Sequence, residues 1–287
     1  MLQDIGPGRF VNHFSFQTAA DEDFALVYQN DSVLASVIDG MLRIPKVREV
    51  RELIPTLSYR YCFSIDQDRY FFADADSEGI EKDSDKALSF VPSREYRNMG
   101  PMDAVFACCV GESLHRWHRN NQFCGRCGTL MEYSTAEQAI VCPQCGLTVY
   151  PKICPAVIVA VCDGDRLLLT KYRGRAFKRY ALVAGFHEIG ETIEDTVHRE
   201  VLEETGLHVK NLRFYKSQPW VLTDTLLMGF YCELDGSDTV TIQEDELSVA
   251  EWFHRSELPD NHSGISLTGE MIERFRASGP EQCLSKL

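Results

Sequence analysis

Residues 185–207 read GFHEIGETIEDTVHREVLEETGL: Gly185 is followed after five residues by Glu191, and after seven more by Arg199-Glu200-Val201-Leu202-Glu203-Glu204-Thr205-Gly206-Leu207. Glu200, Glu203 and Glu204 are spaced i, i+3, i+4, so on a helix they share a sector of about 100°. Carboxylates so crowded repel and raise one another's pKa unless a cation lies between them, and such an oxygen cradle suits magnesium or manganese. A solvated helix with an Arg199–Glu203 pair at i, i+4 would use similar residues. Two features argue against it. Ile193 and Val197 project into the glutamate sector, so that face leads inward. Gly206 stands where a helix C-terminus wants a left-handed residue, and Gly185 with Gly190 allows a tight loop before the helix.

Four cysteines form a second pattern, Cys124-x-x-Cys127 and Cys142-x-x-Cys145, with fourteen residues between the pairs. Each pair is followed by glycine, in CGRCG and CPQCG, which permits the turn that aims backbone N–H groups at thiolates. Two matched knuckles at this separation predict a zinc ribbon rather than a redox disulfide, although four thiolates would also hold an iron–sulfur group. The set is closed, which predicts a structural zinc pinning about thirty residues too few to hold a core alone. Cys62, Cys108, Cys109, Cys154, Cys162, Cys232 and Cys283 lie in mostly apolar stretches and read as core packing.

The chain of 287 residues, 44% hydrophobic, has room for two modest domains and a small module. No apolar run approaches a membrane span and MLQDIGPGRF lacks a signal-peptide pattern, so a cytoplasmic protein with no membrane partner is expected. Eleven cysteines, an odd number, fit a reducing compartment. A net charge of −14 disfavours non-specific binding to nucleic acid or anionic lipid, leaving local cations and bound metal to draw in an anionic substrate.

Upstream of the ribbon, Phe24 to Tyr28, Val33 to Val37, Tyr59 to Ile65 and Tyr70 to Ala73 read as strands and hairpins, Glu78 to Asp85 as an exposed loop, and Met102 to Asn120 as a helix. This α+β domain shows no metal or nucleophile constellation and reads as a scaffold or dimerisation surface. After the ribbon, Ala156 to Val161, a turn at Asp163-Gly164-Asp165, and Arg166 to Thr170 predict a hairpin. The glutamate helix, strands around Leu212 to Tyr215, Leu226 to Glu233 and Ala250 to Phe253, and a helix from Leu267 to about Ala277 complete a mixed sheet with helices on its faces.

The glycine–glutamate pattern is the Nudix box, and the chain resembles the NADH pyrophosphatase (NAD diphosphatase) family of Nudix hydrolases, which includes decappers of NAD-capped RNA. The resemblance rests on the ribbon directly before the box, on Tyr150-Pro151, and on Ser217-Gln218-Pro219-Trp220 ten residues past Leu207. It is close from about Phe123 onward and covers the first part by position only. It implies an α+β fold: an N-terminal Nudix-like α+β domain over residues 1–120, a zinc ribbon over 121–150, and a catalytic Nudix α/β/α sandwich with a mixed sheet over 151–287. It implies hydrolysis of the pyrophosphate of NADH or NAD to nicotinamide mononucleotide and AMP, removal of NAD caps from RNA, and a homodimer. By motif, Glu200, Glu204 and Glu246 with the Ala184 carbonyl would ligate the divalent ion, Glu203 would bind metal or position the attacking water, and Arg199 would pair with Glu191. Phe186 and Tyr150 would stack on a nicotinamide or adenine ring, Gln218 and Trp220 would supply its polar and apolar contacts, and Glu137 and Arg94 would be further substrate contacts.

One departure stands out. Where the family continues with Pro-Phe-Pro-x-Ser after Trp220, this chain has Val221-Leu222-Thr223-Asp224-Thr225, which removes a rigid turn and adds a negative charge. Preference among NADH, NAD and capped RNA is therefore open at this stage. So are a Nudix enzyme for ADP-ribose or another nucleoside diphosphate derivative, and a zinc-ribbon nucleotide-binding module on an inactive Nudix fold. A dehydrogenase has no support, because no G-x-G-x-x-G opens a βαβ unit.

Overall fold

In the first half of the chain, short β-branched and aromatic runs pair into a sheet, as their composition predicts. The computed structural model describes residues 1–6, 9–75, 88–174, 179–242, 247–260 and 264–285. The chain divides into an N-terminal unit, residues 2–152 with 221–223, and a C-terminal unit, Met1 with residues 153–220 and 224–287. The expected loop at Glu78 to Asp85 lies outside the described residues.

The N-terminal unit comprises β1 (Phe10–Val11), β2 (Phe24–Gln29), β3 (Ser32–Ile38), β4 (Met41–Arg43), α1 (Val47–Leu53), β5 (Arg60–Ile65), β6 (Asp68–Asp74), β7 (Ser89–Pro92), α2 (Ser93–Tyr96) and α3 (Met102–Asn120). Its sheet runs β1-β5-β6-β2-β3-β4, with β7 also on β3; β2 and β6 are parallel and the other pairs antiparallel. Val47 and Val50 of α1 pack with Ala25, Val27, Phe71 and Ala73. Helix α3 occupies the span its apolar spacing predicts, with Gly111 so close to Tyr28 that a Cβ there would lie 2.5 Å from the phenol oxygen. The ribbon adds β8 (Glu132–Tyr133), β9 (Ile140–Val141) and β10 (Thr148–Val149), a three-stranded antiparallel meander of two-residue strands.

The C-terminal unit comprises β11 (Cys154–Asp163), β12 (Arg166–Tyr172), β13 (Val183–Phe186), α4 (Ile193–Thr205), β14 (Val209–Trp220), β15 (Thr225–Leu234), β16 (Leu247–His254) and α5 (Leu267–Leu284). The sheet order is β14-β15-β11-β12-β16, with β13 also on β11 and β11 parallel to β15. Alternation along β11 sorts the core: Val157, Val159 and Val161 pack with Val197 and Val201 of α4, whereas Ile158, Ala160 and Cys162 pack with Met271 and Phe275 of α5. The result is the expected α/β/α sandwich on a mixed sheet.

Two elements run further than their patterns predict. Strand β14 extends through Trp220, its alternation broken by register shifts between Lys210 and Arg213 and between Phe214 and Lys216. Helix α5 continues past Ala277 across a kink at Gly279 (φ 70°), after which Pro280 opens a further turn without needing its missing N–H. The altered segment at 221–223 still turns, as a 3₁₀ helix, with Asp224 left-handed (φ 57°) and its carbonyl accepting from the Cys154 N–H at 2.7 Å. No described helix is long and apolar enough to cross a membrane.

The two units share a plan. The order β2, β3, β4, α1, β5, β6, β7, α3 matches β11, β12, β13, α4, β14, β15, β16, α5. Four pairings agree too: β2–β3 and β11–β12 are antiparallel, β2–β6 and β11–β15 parallel, β5–β6 and β14–β15 antiparallel, and β3–β7 and β12–β16 antiparallel, whereas β4 pairs with β3 and β13 with β11. The N-terminal unit is thus Nudix-like in topology, while its α1 is VREVREL and lacks the glutamate triad.

Candidate active site and metal centres

Thr192 starts α4 with a capping box: its hydroxyl accepts from the Asp195 N–H at 3.1 Å, and the Asp195 carboxylate accepts from the Thr192 N–H at 3.1 Å. Gly206 ends it in the left-handed conformation (φ 71°). Between these ends the glutamates divide. Glu200 and Glu204 are 8% and 1% exposed, on the Val197 side, while Glu203 is exposed.

Gly185 has a different reason from the turn predicted for it. It lies within β13, and a Cβ there would fall 1.8 Å from the Glu200 carboxyl carbon, so the missing side chain is the berth of that carboxylate. Gly190 does supply the turn, with φ 97°. The Tyr172 hydroxyl, on β12, donates to the Ala184 carbonyl at 3.2 Å and lies 3.5 Å from Glu204 Oε1, so one phenol touches two of the expected metal-ligand oxygens. Sequence reasoning missed Tyr172, because 32 residues of chain separate it from Glu204 and only the sheet joins them.

Arg199 forks across the loop and the helix. Its Nε and Nη2 donate to Glu191 at 2.5 and 3.0 Å, Nη2 donates to the Phe186 carbonyl at 2.8 Å, and Nη1 donates to Glu200 at 2.7 Å and Glu203 at 3.1 Å. The Glu191 pair follows the family resemblance. The Glu203 contact is the i, i+4 pair that a solvated helix would also make, and the Glu200 contact is an addition: a guanidinium relieves part of the crowding that the sequence left to a metal ion. Glu191 also accepts from the Thr196 hydroxyl at 2.9 Å and the Glu188 N–H at 3.2 Å, and the Arg199 fork chiefly holds its carboxyl down at about 2. His187 Nδ1 meets the same Thr196 hydroxyl at 2.9 Å.

In the ribbon, the sulfur atoms of Cys124, Cys127, Cys142 and Cys145 lie within 4.8 Å of one another, with Cys124–Cys145 at 3.6 Å and Cys127–Cys142 at 3.5 Å. A tetrahedron with Zn–S bonds of about 2.3 Å has edges of about 3.8 Å, so four thiolates so placed fit zinc. Backbone N–H groups of Arg126 and Cys145 point at Cys124 and Cys142, each at 3.4 Å. Among the described residues no other three His, Cys, Asp or Glu ligand atoms gather so tightly, and Arg199 is what holds Glu200 and Glu203. The oxygen set nevertheless fits a hard divalent ion: two buried carboxylates, a backbone carbonyl beside Glu200's berth, and an exposed carboxylate one turn along. Glu246 lies outside the described residues.

Residues 152–275 match the NUDIX domain family and residues 119–150 the NADH pyrophosphatase zinc ribbon domain. Over 190 residues the chain is 36% identical to the NAD-capped RNA hydrolase NudC of Pseudomonas aeruginosa, covering 66% of this chain and 68% of that protein. The chain belongs to the zinc-ribbon NADH pyrophosphatase family of Nudix hydrolases. It is also 40% identical over 166 residues to NudC of Pasteurella multocida, 57% of this chain and 62% of that one. A solved Nudix hydrolase from Nitrosomonas europaea aligns over 54% of this chain and 90% of its own at 22% identity, with a TM-score of 0.47.

The remaining residues expected at the site of this Nudix hydrolase differ in exposure. Phe186 and Tyr150 are 56% and 57% exposed, and Tyr150 donates its hydroxyl to Glu137 at 3.0 Å, which brings two of the expected contacts together. Trp220 is half-buried at the end of β14. Gln218 is fully buried: its amide donates to the Ile265 carbonyl at 2.8 Å and accepts from the Leu267 N–H at 2.7 Å, tying β14 to the first turn of α5. Both ends of the Gln218 amide are thus engaged inside the fold. Arg94 is exposed on α2, 3.8 Å from Glu95.

Proposed function

We propose that the chain hydrolyses the pyrophosphate of NADH and NAD to nicotinamide mononucleotide and AMP, and removes the NAD cap from RNA. The observation that carries the chemistry is the berth at Gly185, which seats the Glu200 carboxylate beside the Ala184 carbonyl. Ribbon and box together in a relative of enzymes named for NAD-capped RNA support the substrate.

Glu200, Glu204 and the Ala184 carbonyl would hold magnesium or manganese, with Glu246 as a further ligand. Bound there, the ion supplies charge neutralisation of the pyrophosphate and a lowered pKa for water. Glu203, exposed on the same helix, orients the attacking water and accepts its proton. Arg199 holds the loop through Glu191, and Tyr172 fixes the Ala184 carbonyl and Glu204. Phe186 and Tyr150 each offer an aromatic face to a base or nicotinamide, with Trp220, Glu137 and Arg94 as further contacts. Eleven cysteines without a disulfide among them support a cytoplasmic setting. The family also supports a homodimer, which light scattering checks, and the domain limits 1–120, 121–150 and 151–287.

Hydrolysis of NADH, NAD, ADP-ribose and NAD-capped RNA in magnesium or manganese tests the reading. Glu203→Gln is expected to lower kcat by roughly 10²–10⁴-fold with little change in KM. Wild-type rates in that variant would overturn the chemistry, and ADP-ribose turned over far faster than NADH would overturn the substrate.

A further inference from the structure

Trp220 and Thr225 pair with each other at the adjoining ends of β14 and β15, so residues 221–224 close a four-residue hairpin loop. Its sequence, Val221-Leu222-Thr223-Asp224, contains neither glycine nor proline, and two of the four residues are β-branched. Such residues do not set a turn by their own preference; only Asp224, left-handed at φ 57°, is of a type that favours one. The 3₁₀ turn at Val221–Thr223 therefore draws on contacts from outside the loop.

Two of the loop's carbonyls are held in that way. The Asp224 carbonyl accepts from the Cys154 N–H at 2.7 Å, and the Val221 carbonyl accepts from Nη2 of Arg116, on α3, at 3.0 Å. Val221–Thr223 and α3 belong to the same unit, the N-terminal one. The guanidinium is itself steered. Arg116 Nη1 lies 3.8 Å from Glu112 one helical turn back, and the Glu112 carboxylate, only 7% exposed, accepts from the Tyr96 hydroxyl. A charged fork aimed by a buried carboxylate bonds a carbonyl more strongly than a neutral donor would.

Trp220 directly precedes the held residue, and its backbone (φ −93°, ψ 73°) has already left the strand conformation. The direction of its ring is thus fixed on one side by pairing with Thr225 and on the other by where the loop is pinned. We infer that Arg116 is a positioning residue for substrate binding, which fixes the loop next to Trp220 through the Val221 carbonyl. The inference rests on the reading of Trp220 as a contact for a nicotinamide or adenine ring. Arg116 acts on that ring contact and on none of the glutamates that serve the attack by water, so its effect falls on binding and leaves turnover alone.

Steady-state NADH hydrolysis by the full zinc-loaded chain in saturating magnesium, with thermal melts alongside, tests it. Arg116→Met should raise KM about tenfold with kcat within about twofold of wild type, and Arg116→Lys, which keeps a charge beside Glu112 and the helix intact, should raise KM about threefold. Trp220→Ala should also raise KM, and adding Arg116→Met to it should cost nothing more, because both changes remove one contact. Val221→Pro, whose ring fixes φ at the first position of the turn, should bring the Arg116→Met KM back to within about threefold of wild type. A merely structural Arg116 would lower the melting temperature and kcat together and gain nothing from that proline. Additive effects of Arg116→Met and Trp220→Ala, or a wild-type KM in both Arg116 variants beside a raised one in Trp220→Ala, would overturn the inference alone. A wild-type KM in Trp220→Ala would overturn the Trp220 contact and the inference with it.

Discussion

Gly185 shows how one residue can be read correctly as essential and for the wrong reason. A glycine before a helix suggests a turn, and Gly190 takes that part, whereas Gly185 is an absence of atoms filled by the Glu200 carboxyl. Gly185→Ala should therefore displace a metal ligand rather than strain the loop. We expect manganese affinity and kcat/KM each to fall by about tenfold or more while the melting temperature hardly moves, read by metal titration and thermal melts. Glu191 makes a prediction about acid. Its carboxyl is held at about 2, below the ordinary 4.5, first by Arg199, so its contribution is complete above about 4.5 and is lost as pH falls toward 2. Glu191→Gln should flatten the acid limb of the stability curve in that window; denaturant melts at stepped pH would show an unchanged slope if the fork were idle.

At the scale of elements, the helix and its C-terminal end were legible because each signal is local: the glutamates on one face and Gly206 at the end, while the Thr192–Asp195 cap came from the structure. Strand β14 was half legible, because its bulges break the alternation that periodicity depends on. Gln218 was legible as a motif member but not in its link to α5, since its partners Ile265 and Leu267 lie 47 and 49 residues on. Gln218→Ala would leave a buried carbonyl and a buried N–H unmet, a loss of about 2–4 kcal/mol, with KM for NADH unchanged. A raised KM with an unchanged melt would instead return Gln218 to the substrate.

For the molecule as a whole, the ribbon's three strands of two residues each have too little core to persist alone, so the four thiolates must supply the fold's closure. Slow chelation should lower the melting temperature by at least about 5 °C before NADH hydrolysis declines, followed by parallel melts and assays. The repeated plan of the two units was visible in sequence only as a general resemblance of position, because topology is conserved by pairings that no local pattern records. What the sequence by itself determined is the chemistry: spacing along a helix and along two knuckles places ligands at fixed offsets, and such offsets survive any tertiary arrangement. What only the tertiary structure decided is which atoms those ligands meet. Tyr172 on Glu204, Glu200 in the space of Gly185 and Gln218 on α5 all join residues distant in the chain, through strand pairing and packing that act across space rather than along sequence.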